Sequence, residues 1–528
     1  MQTILRIPSL LLLSLLLIIS LGGYPSLAET VFVNEDIRSS MRTEPSIDYL
    51  IITSDSLLST VMPLALWKQQ RGLSTAVVTV ENIIQSYEGQ DRPEAIRNCI
   101  THFHEEKNTQ WVLLAGNKNY VPLRYVREVA GANYVICDHY YANLDDNWLL
   151  NTDGTVSIRD YYDWEAEVYV GRPPAESNAQ MIELVSRLLA YERTPPIGSW
   201  MTHALFAGTF VNFDTDVNNN SVLDEDDYPA FDTNRCHNWL STQIIPPNWS
   251  STLLAEAEGL QTSEYYYDKP INESNVVEEI ILGTNMANFD AHGSTTGMYR
   301  MIFSVDSDND SLFDYNTDTY SSIPFITTES DIDTEGKNGF YFLCACGTGN
   351  FESSGDSLAE YILRTCGIGC IASSRSAWYE GGWHERSHGG WYTQGLSSRF
   401  WDQLLMQGVN RPGKALVEAK LAYVQDYLTL NEINESEDPT LVQYNLLGDP
   451  EVPVWTTIPS QLESEISTSD GRVIIKAVSG YQPVCDVVVT LTNSTYYWKG
   501  FTDGEGQISL PISQNELNEL TLTLSKTN

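Results

Sequence analysis

The sequence is poor in positive charge. It contains only 30 lysines and arginines against 70 aspartates and glutamates, which gives a formal net charge of −40 at pH 7. A charge of this sign and size repels phosphate backbones and anionic lipid headgroups. We therefore expect neither a nucleic acid nor a membrane surface among the partners of this chain, and we expect an affinity for cations.

Cysteines and long apolar runs are also scarce. The 8 cysteines are too few for a disulfide scaffold in a chain of this length, although Cys366 and Cys370 are close enough in sequence to form one local bridge. At the N-terminus, Arg6 precedes a run of leucine and isoleucine, and small residues lead up to Ala28. This pattern predicts a secretory signal peptide cleaved after Ala28, with a retained membrane anchor as the alternative. We therefore expect a secreted protein with no membrane partner after cleavage.

The spacing of apolar residues predicts the domains. After the signal peptide (1–28) and a short N-terminal segment (29–45), apolar runs of strand length alternate with helical patterns. This alternation predicts two α/β sub-domains with mainly parallel sheets, 46–195 and 196–458. Over 459–528 the apolar residues recur with period two, which predicts a small immunoglobulin-like β-sandwich.

Two reactive side chains stand where predicted strands end. The run "MANFDAHG" ends on His292 and Gly293, and "GFYFLCACG" ends on Cys346 and Gly347. Parallel strands of one sheet end at the same edge, so these side chains would be neighbours if their strands share a sheet. A thiolate nucleophile needs access, a nearby acid/base and donors for an oxyanion. Each residue alone is more often a packing or loop residue, so only the combination points to an active site.

Three acidic stretches have spacings that suit calcium. In "DTDVNNNSVLDE", oxygen-bearing side chains occupy positions 1, 3, 5, 7 and 12 of an EF-hand-like loop. These residues are Asp214, Asp216, Asn218, Asn220 and Glu225; a second array is Asp306, Asp308, Asp310 and Asp314; a looser third set is Asp145, Asp146, Asn147 and Asp153. The alternative is that these are solvated turns, in which Asp and Asn are common. We predict structural calcium, chiefly in the first two loops, and no catalytic cofactor.

The strand-end residues and several other segments resemble the gingipain-type cysteine peptidases, relatives of caspases and legumains. The matching segments follow the family's order over most of residues 46–455, and they include "LWKQQRGLSTAVVTVENI", "WVLLAGNKNYVP", "AEVYVGRPP", "NFDAHGS", "CACGTGNF" and "LLGDPEVPVW". The resemblance implies a cysteine endopeptidase that acts on proteins or peptides, with caspase-like α/β sub-domains followed by an immunoglobulin-like module. A calcium-stabilised adhesion or binding protein on the same fold is the alternative, and an amidase or ligase would use the same acyl-enzyme.

The resemblance also implies roles for single residues. Cys346 is the expected nucleophile and His292 the general acid/base. The backbone N–H groups of Gly293 and Cys346 are the expected oxyanion donors. Glu167 is the expected carboxylate that orients the imidazole, and the local sequence also offers Asp290 for that task.

Substrate preference is the least constrained part of this interpretation. Well-known members of the family cleave after Arg or Lys by means of an acidic residue in the substrate pocket. We find no match for that acid in this chain, where Gln180 lies near the expected position. The preferred residue before the cleaved bond and the oligomeric state therefore stay open.

Overall fold

The structure is a computed structural model, and it falls into an α/β part (residues 46–455) and C-terminal sheets (residues 463–525). No helix among the residues described here is both long and apolar enough to cross a membrane. The described residues are 3–5, 32–33, 46–127, 134–146, 148, 150–157, 164–217, 220–224, 227–379, 390–430, 439–493 and 496–526.

The first half of the α/β part is built on a five-stranded sheet. Its elements in chain order are β1 (Thr3–Leu5), β2 (Phe32–Val33), β3 (Tyr49–Thr53), α1 (Leu58–Gln70), β4 (Thr75–Thr79), α2 (Val80–Ser86), α3 (Arg92–Lys107), β5 (Trp111–Leu114), β6 (Tyr125–Arg127), β7 (Tyr134–Ile136), β8 (Val156–Ser157), β9 (Tyr169–Gly171) and α4 (Asn178–Arg193). The strand order is β2-β4-β3-β5-β9, with every pair parallel. The strands β3 and β4 are buried throughout, as expected of a parallel sheet covered on both faces.

The second half contains a seven-stranded sheet in the order β14-β13-β10-β15-β19-β20-β21. Its elements are β10 (His203–Gly208), β11 (Phe210–Asn212), β12 (Phe231–Asp232), α5 (Asn234–Gln243), β13 (Ser250–Ala255), β14 (Lys269–Pro270), α6 (Glu273–Leu282), β15 (Met286–Asp290), β16 (His292–Ser294), β17 (Gly297–Val305), β18 (Thr319–Thr327), β19 (Gly339–Cys344), α7 (Leu358–Thr365), β20 (Gly367–Ser373), α8 (Tyr392–Trp401), α9 (Pro412–Leu430), α10 (Thr440–Gln443) and β21 (Tyr444–Gly448). All pairs are parallel except β20 with β21.

The two sheets meet edge to edge. Arg172, directly after β9, pairs in parallel with Leu447 of β21. Because β21 is antiparallel to β20, the two parallel sets of strands run in opposite directions. One hydrophobic cluster extends across both halves, from Ile47 to Trp455. Each sheet lies mainly within one predicted sub-domain, and the exact boundaries stay predictions.

The C-terminal residues form two antiparallel sheets with a hydrophobic core of their own. Their elements are β22 (Glu463–Ser469), β23 (Arg472–Ser479), β24 (Gln482–Pro483), β25 (Val488–Thr492), β26 (Tyr497–Phe501), β27 (Gln507–Leu510), α11 (Gln514–Asn518) and β28 (Thr521–Ser525). One sheet has the order β22-β23-β24 with β27 also on β23, and the other has the order β1-β28-β25-β26. The strand β1 falls within the predicted signal peptide, so cleavage after Ala28 would remove it from the edge of its sheet.

A buried ion cluster ties the helices of the α/β part to the segment after β21. The Lys68 ammonium of α1 lies 2.8 Å from Glu192, 2.6 Å from Asp449 and 2.7 Å from Glu451. The side chains of all four residues are almost completely buried. Arg71 contacts two of the same carboxylates. The carboxylates therefore depend on these cations for their charge balance.

We expect Lys68→Met to lower the free energy of unfolding by about 3–5 kcal/mol, because it leaves buried carboxylates without their central cation. Chemical unfolding measures this loss. The control is Lys269→Met, since the Lys269 side chain is 35% exposed where it pairs with Glu278 and Glu279, so this variant should lose no more than about 1 kcal/mol. Equal losses for the two variants would contradict a structural role for the Lys68 cluster.

Candidate active site

The candidate site lies at the carboxyl edge of the seven-stranded sheet. The strands β15 and β19 are parallel neighbours, with Asp290 opposite Cys344. The ladder continues one step further, where the Ala291 N–H donates to the Cys344 carbonyl at 3.2 Å. His292 and Cys346 therefore follow the ends of adjacent strands, which are about 4.8 Å apart in a sheet. The structure brings these two predicted site residues together at one edge.

Gly293 allows the two strand ends to approach closely. A Cβ atom at this position would lie 2.7 Å from Ala345 Cβ, 2.9 Å from the Cys346 carbonyl oxygen and 3.1 Å from Thr348 Cγ2. No side chain larger than hydrogen fits there without displacing the Cys346 segment. Within the described residues the Cys346 N–H forms no hydrogen bond, so it is available to an incoming oxygen.

The N-terminus of α7 holds both strand-end segments. The Leu358 N–H donates to the Thr295 carbonyl at 2.7 Å, and the Ala359 N–H donates to the Thr348 carbonyl at 3.0 Å. These carbonyls belong to the segments that follow His292 and Cys346 in the chain. A capping box at Ser357 begins the helix. The free N–H groups of one helix end thus fix the spacing of the two segments.

A backbone carbonyl orients the imidazole of His292. The His292 Nε2 atom lies 2.8 Å from the carbonyl oxygen of Val211 in β11. A carbonyl can only accept a hydrogen bond, so Nε2 carries the proton and Nδ1 is left as the basic nitrogen. The ring is half-buried and remains accessible to a ligand at this edge.

The thiol of Cys346 is also held by backbone groups. The Ala377 N–H donates to the Cys346 sulfur at 3.2 Å, a contact that also stabilises a thiolate. The following residue, Gly347, donates its N–H to the Arg375 carbonyl at 2.6 Å. The segment 375–377 therefore lies alongside the nucleophile and fixes the turn that carries it.

The cysteines differ in their access to solvent. Cys346 and Cys485 are half-buried, and the other cysteines are buried. Burial raises the pKa of the Cys344 thiol well above its usual value, so this neighbour is inert. Cys366 and Cys370 are both free, which corrects the expectation of a local bridge. Cys346 is thus the accessible thiol at this sheet edge.

Glu167 does not contact His292. Its side chain accepts a hydrogen bond from the Leu144 N–H, and its own N–H donates to the Ala142 carbonyl at 3.1 Å. Glu167 precedes β9, and β20 and β21 separate that strand from β19. Within the described residues Glu167 forms no hydrogen bond to His292, and its role in orienting the imidazole stays a prediction.

Asp290 and Gln180 also lie apart from the imidazole. Both oxygens of the buried Asp290 accept from Gln394 Nε2, at 3.1 and 2.9 Å. Burial raises the pKa of Asp290 to about 8, so this group is largely protonated at neutral pH. Gln180 lies in the first turn of α4 and accepts from the Glu176 N–H at 2.6 Å. Neither residue is in hydrogen-bonding contact with His292.

The second acidic loop lies at the tip of the hairpin formed by β17 and β18. The sequence analysis did not predict this hairpin. Carboxylate oxygens of Asp306, Asp308 and Asp318 lie within 4.8 Å of one another. Asp310 and Asp314 instead accept backbone N–H groups of the turns that follow them. Asp310 and Asp314 are not in this group of three, which includes Asp318 instead, and calcium binding by the expected set stays a prediction. Three convergent carboxylates are a donor set that suits Ca²⁺.

The described side chains of the first acidic loop have hydrogen-bond partners both inside and outside the loop. Asp214 and Asp216 each accept a backbone N–H group, at 2.8 and 2.7 Å. The Asn220 amide donates to the Asp224 carboxylate at 2.7 Å. Asn218 and Glu225 lie outside the described residues. Calcium binding by this loop therefore stays a prediction.

The third acidic set shows no convergent geometry among its described members. Asp146 accepts from the Asn143 amide at 3.1 Å. Asp153 accepts from the N–H and the hydroxyl of Thr155, and Asn147 lies outside the described residues. Asp145 and the other members are thus typical of turn residues.

Sequence reasoning missed two kinds of feature. Residues 384–388 read "HERSH" and fit the H-E-x-x-H zinc pattern, but they lie outside the described residues. The second kind of feature is a contact made by a backbone group or between residues far apart in the chain, such as those of Tyr379. The Tyr379 hydroxyl donates to Asn212 at 3.1 Å, and its ring lies 4.9 Å from that of Phe231. Tyr379 thus links the segment beside Cys346 to the strand that carries Val211.

Known proteins match this chain over most of its length. Residues 42–455 match the sequence model of peptidase family C25. Gingipain R2 from two strains of Porphyromonas gingivalis is 19% identical over 519 residues, which cover 95% of this chain. The chain spans 59% of the length of these relatives.

Solved structures match the fold. The crystal structure of the Arg-specific cysteine proteinase gingipain R has a TM-score of 0.62 at 18% identity, covering 92% of this chain and 96% of that chain. The complex of the pro- and mature domains of RgpB from Porphyromonas gingivalis has a TM-score of 0.61 at 17% identity, covering 91% and 97%. This likeness confirms the predicted α/β class with parallel sheets.

We expect Gly293→Ala to destabilise the chain by about 1–3 kcal/mol through overpacking and to push His292 away from Cys346. Chemical unfolding measures the first effect. Peptide-resolved mass spectrometry measures the second as slower alkylation of Cys346 by iodoacetamide. The control is Gly504→Ala, because a Cβ there would meet no atom within 4 Å. A Gly293→Ala variant that matches this control in both measurements would contradict the close approach.

Proposed function

The chain belongs to peptidase family C25, and on that basis we propose that it is a secreted cysteine endopeptidase acting on protein or peptide substrates. Cys346 is the nucleophile, and His292 is the general acid/base. The observation that carries the proposal is the register of β15 and β19, which ends these adjacent strands beside each other. The signal-peptide pattern before Ala28 supports secretion.

The reaction is acyl transfer through a thioester. His292 takes the Cys346 proton at Nδ1, and the sulfur attacks the carbonyl carbon of the peptide bond. The N–H groups of Cys346 and Gly293 stabilise the negative oxygen of the tetrahedral intermediate. The imidazolium then protonates the departing amine, which leaves the acyl-enzyme. A water molecule activated by His292 hydrolyses the thioester and restores the free thiol.

The Val211 carbonyl serves as the orienting group in this mechanism. Its hydrogen bond to Nε2 at 2.8 Å fixes the ring and stabilises the positive charge that forms when Nδ1 is protonated. A neutral carbonyl does this less strongly than a carboxylate would. Because Val211 is the hydrogen-bond partner of His292 and Glu167 accepts from the Leu144 N–H instead, we expect Glu167→Gln to leave turnover close to that of the wild type.

Labelling with a peptidyl acyloxymethyl ketone tests the proposal. We expect wild type to be labelled at Cys346, Cys346→Ala to be unlabelled, and His292→Ala to be labelled at least about 100-fold more slowly, which is typical for loss of a general acid/base. The control is Cys485→Ala, which removes the other half-buried thiol and should behave like wild type.

Three outcomes would contradict the proposal. If wild type and Cys346→Ala are labelled equally, the alternative of a non-catalytic adhesion protein gains support. If peptide cleavage is abolished by 1,10-phenanthroline and not by the ketone, the H-E-x-x-H pattern becomes the better candidate. If added amines capture the acyl group in preference to water, the chain is an amidase or ligase.

We also propose that calcium binds at the hairpin tip as a structural ion and that the C-terminal sheets form an immunoglobulin-like module. The three convergent carboxylates Asp306, Asp308 and Asp318 support the first proposal. Asp306 accepts backbone N–H groups from Asn309 and Ser311 at 2.7 and 2.9 Å, which shapes the loop around them. A bound cation would offset the mutual repulsion of these carboxylates.

We expect excess EGTA to lower the melting temperature of the calcium-loaded protein, because the chelator removes the ion that neutralises the loop. Asp308→Asn should require a higher calcium concentration for the same melting temperature. The control is Asp503→Asn, since Asp503 accepts N–H groups within a turn of the C-terminal sheets. A melting curve that is unchanged by EGTA would contradict structural calcium.

A further inference from the structure

A cavity of about 200 Å³ lies between the α/β part and the C-terminal sheets. Arg71, Arg411 and Trp455 line it from the α/β part, and Lys499 and Lys526 line it from the C-terminal sheets. The two parts are in direct contact beside it, where the Ser525 hydroxyl donates to the Arg71 carbonyl at 3.2 Å. A ligand in this cavity would touch both parts of the chain.

The lining is basic in a chain that is otherwise strongly acidic. Two arginines and two lysines face the cavity, and Glu451 is the acidic residue among the lining side chains. The whole sequence has 30 basic residues against 70 acidic ones, so random placement would favour the opposite sign. The concentration of cations at one cavity indicates a binding preference for anions.

Carboxylates neutralise the two arginines that line the cavity, but no carboxylate in the described part of the chain pairs with the two lining lysines. The buried cluster pairs three cations with three carboxylates, namely Lys68, Arg71 and Arg411 with Glu192, Asp449 and Glu451. Lys526 donates to the Cys485 carbonyl at 2.7 Å, and Lys499 lies over the Phe501 ring. Neither lysine has a carboxylate partner among the described residues, so the cavity carries two unbalanced positive charges.

We propose that this cavity binds a small oxyanion with two negative charges, of the kind found in dicarboxylates and in phosphate. Two negative charges match the two lining lysines that have no carboxylate partner among the described residues. Because the lining comes from both parts, the anion joins the C-terminal sheets to the α/β part.

Thermal unfolding of the full chain tests the proposal independently of peptidase activity. Succinate and phosphate are titrated separately at an ionic strength held constant with sodium chloride. We expect at least one of them to raise the melting temperature with saturation, as binding to the folded state requires. The same titration should change the fluorescence of the protein, since Trp455 lines the cavity. Saturation by succinate alone assigns a dicarboxylate, and saturation by phosphate alone assigns a phosphate.

Succinate and phosphate can also stabilise a protein without binding to a site. Substitutions of the lining lysines separate the two effects. Lys499→Gln with Lys526→Gln, both at exposed positions, should weaken the apparent affinity at least 10-fold. Lys476→Gln on the same sheets should leave it unchanged, because Lys476 faces Glu465 away from the cavity lining. The proposal is overturned if neither anion exceeds chloride in effect, or if the double variant responds as wild type does.

Discussion

The parallel pairing of β15 with β19 is the constraint on which the candidate site depends. It sets Asp290 opposite Cys344, so His292 and Cys346, two residues further on, lie at the same edge of the sheet. A slip of one residue would turn a side chain to the other face of the sheet. Gly293 permits the approach, and the N-terminus of α7 donates to a carbonyl in each segment. The proposed chemistry thus rests on backbone geometry more than on contacts between side chains.

The net charge of the chain does not describe how the two signs of charge are distributed in the structure. Carboxylates such as Asp216 and Asp306 accept backbone N–H groups in loops. Lys68 is buried, and it joins helices to the segment after β21. The same cluster borders the basic cavity next to the C-terminal sheets. A strongly acidic protein can therefore contain a local site for anions.

The sequence was sufficient for the family and for the α/β fold. Helix and strand periodicity located β15 and β19, because both are short buried runs with a glycine three residues after the strand. It could not locate the Val211 carbonyl, since backbone groups have no residue-type signal. It missed Asp318 because the β17–β18 hairpin brings that residue back to Asp306. It did not indicate that the Glu167 side chain accepts a hydrogen bond from the Leu144 N–H, because that contact joins residues far apart in the chain.

The central claim is that Cys346 and His292 act on one bound amide. A crystal structure of the covalent adduct with a peptidyl acyloxymethyl ketone tests it most directly. The account predicts a bond from Cys346 Sγ to the inhibitor, with His292 Nδ1 about 3–3.5 Å from an atom of the reacting group and Nε2 still bound to Val211. An adduct on another residue, or an imidazole turned away from the inhibitor, would contradict the account.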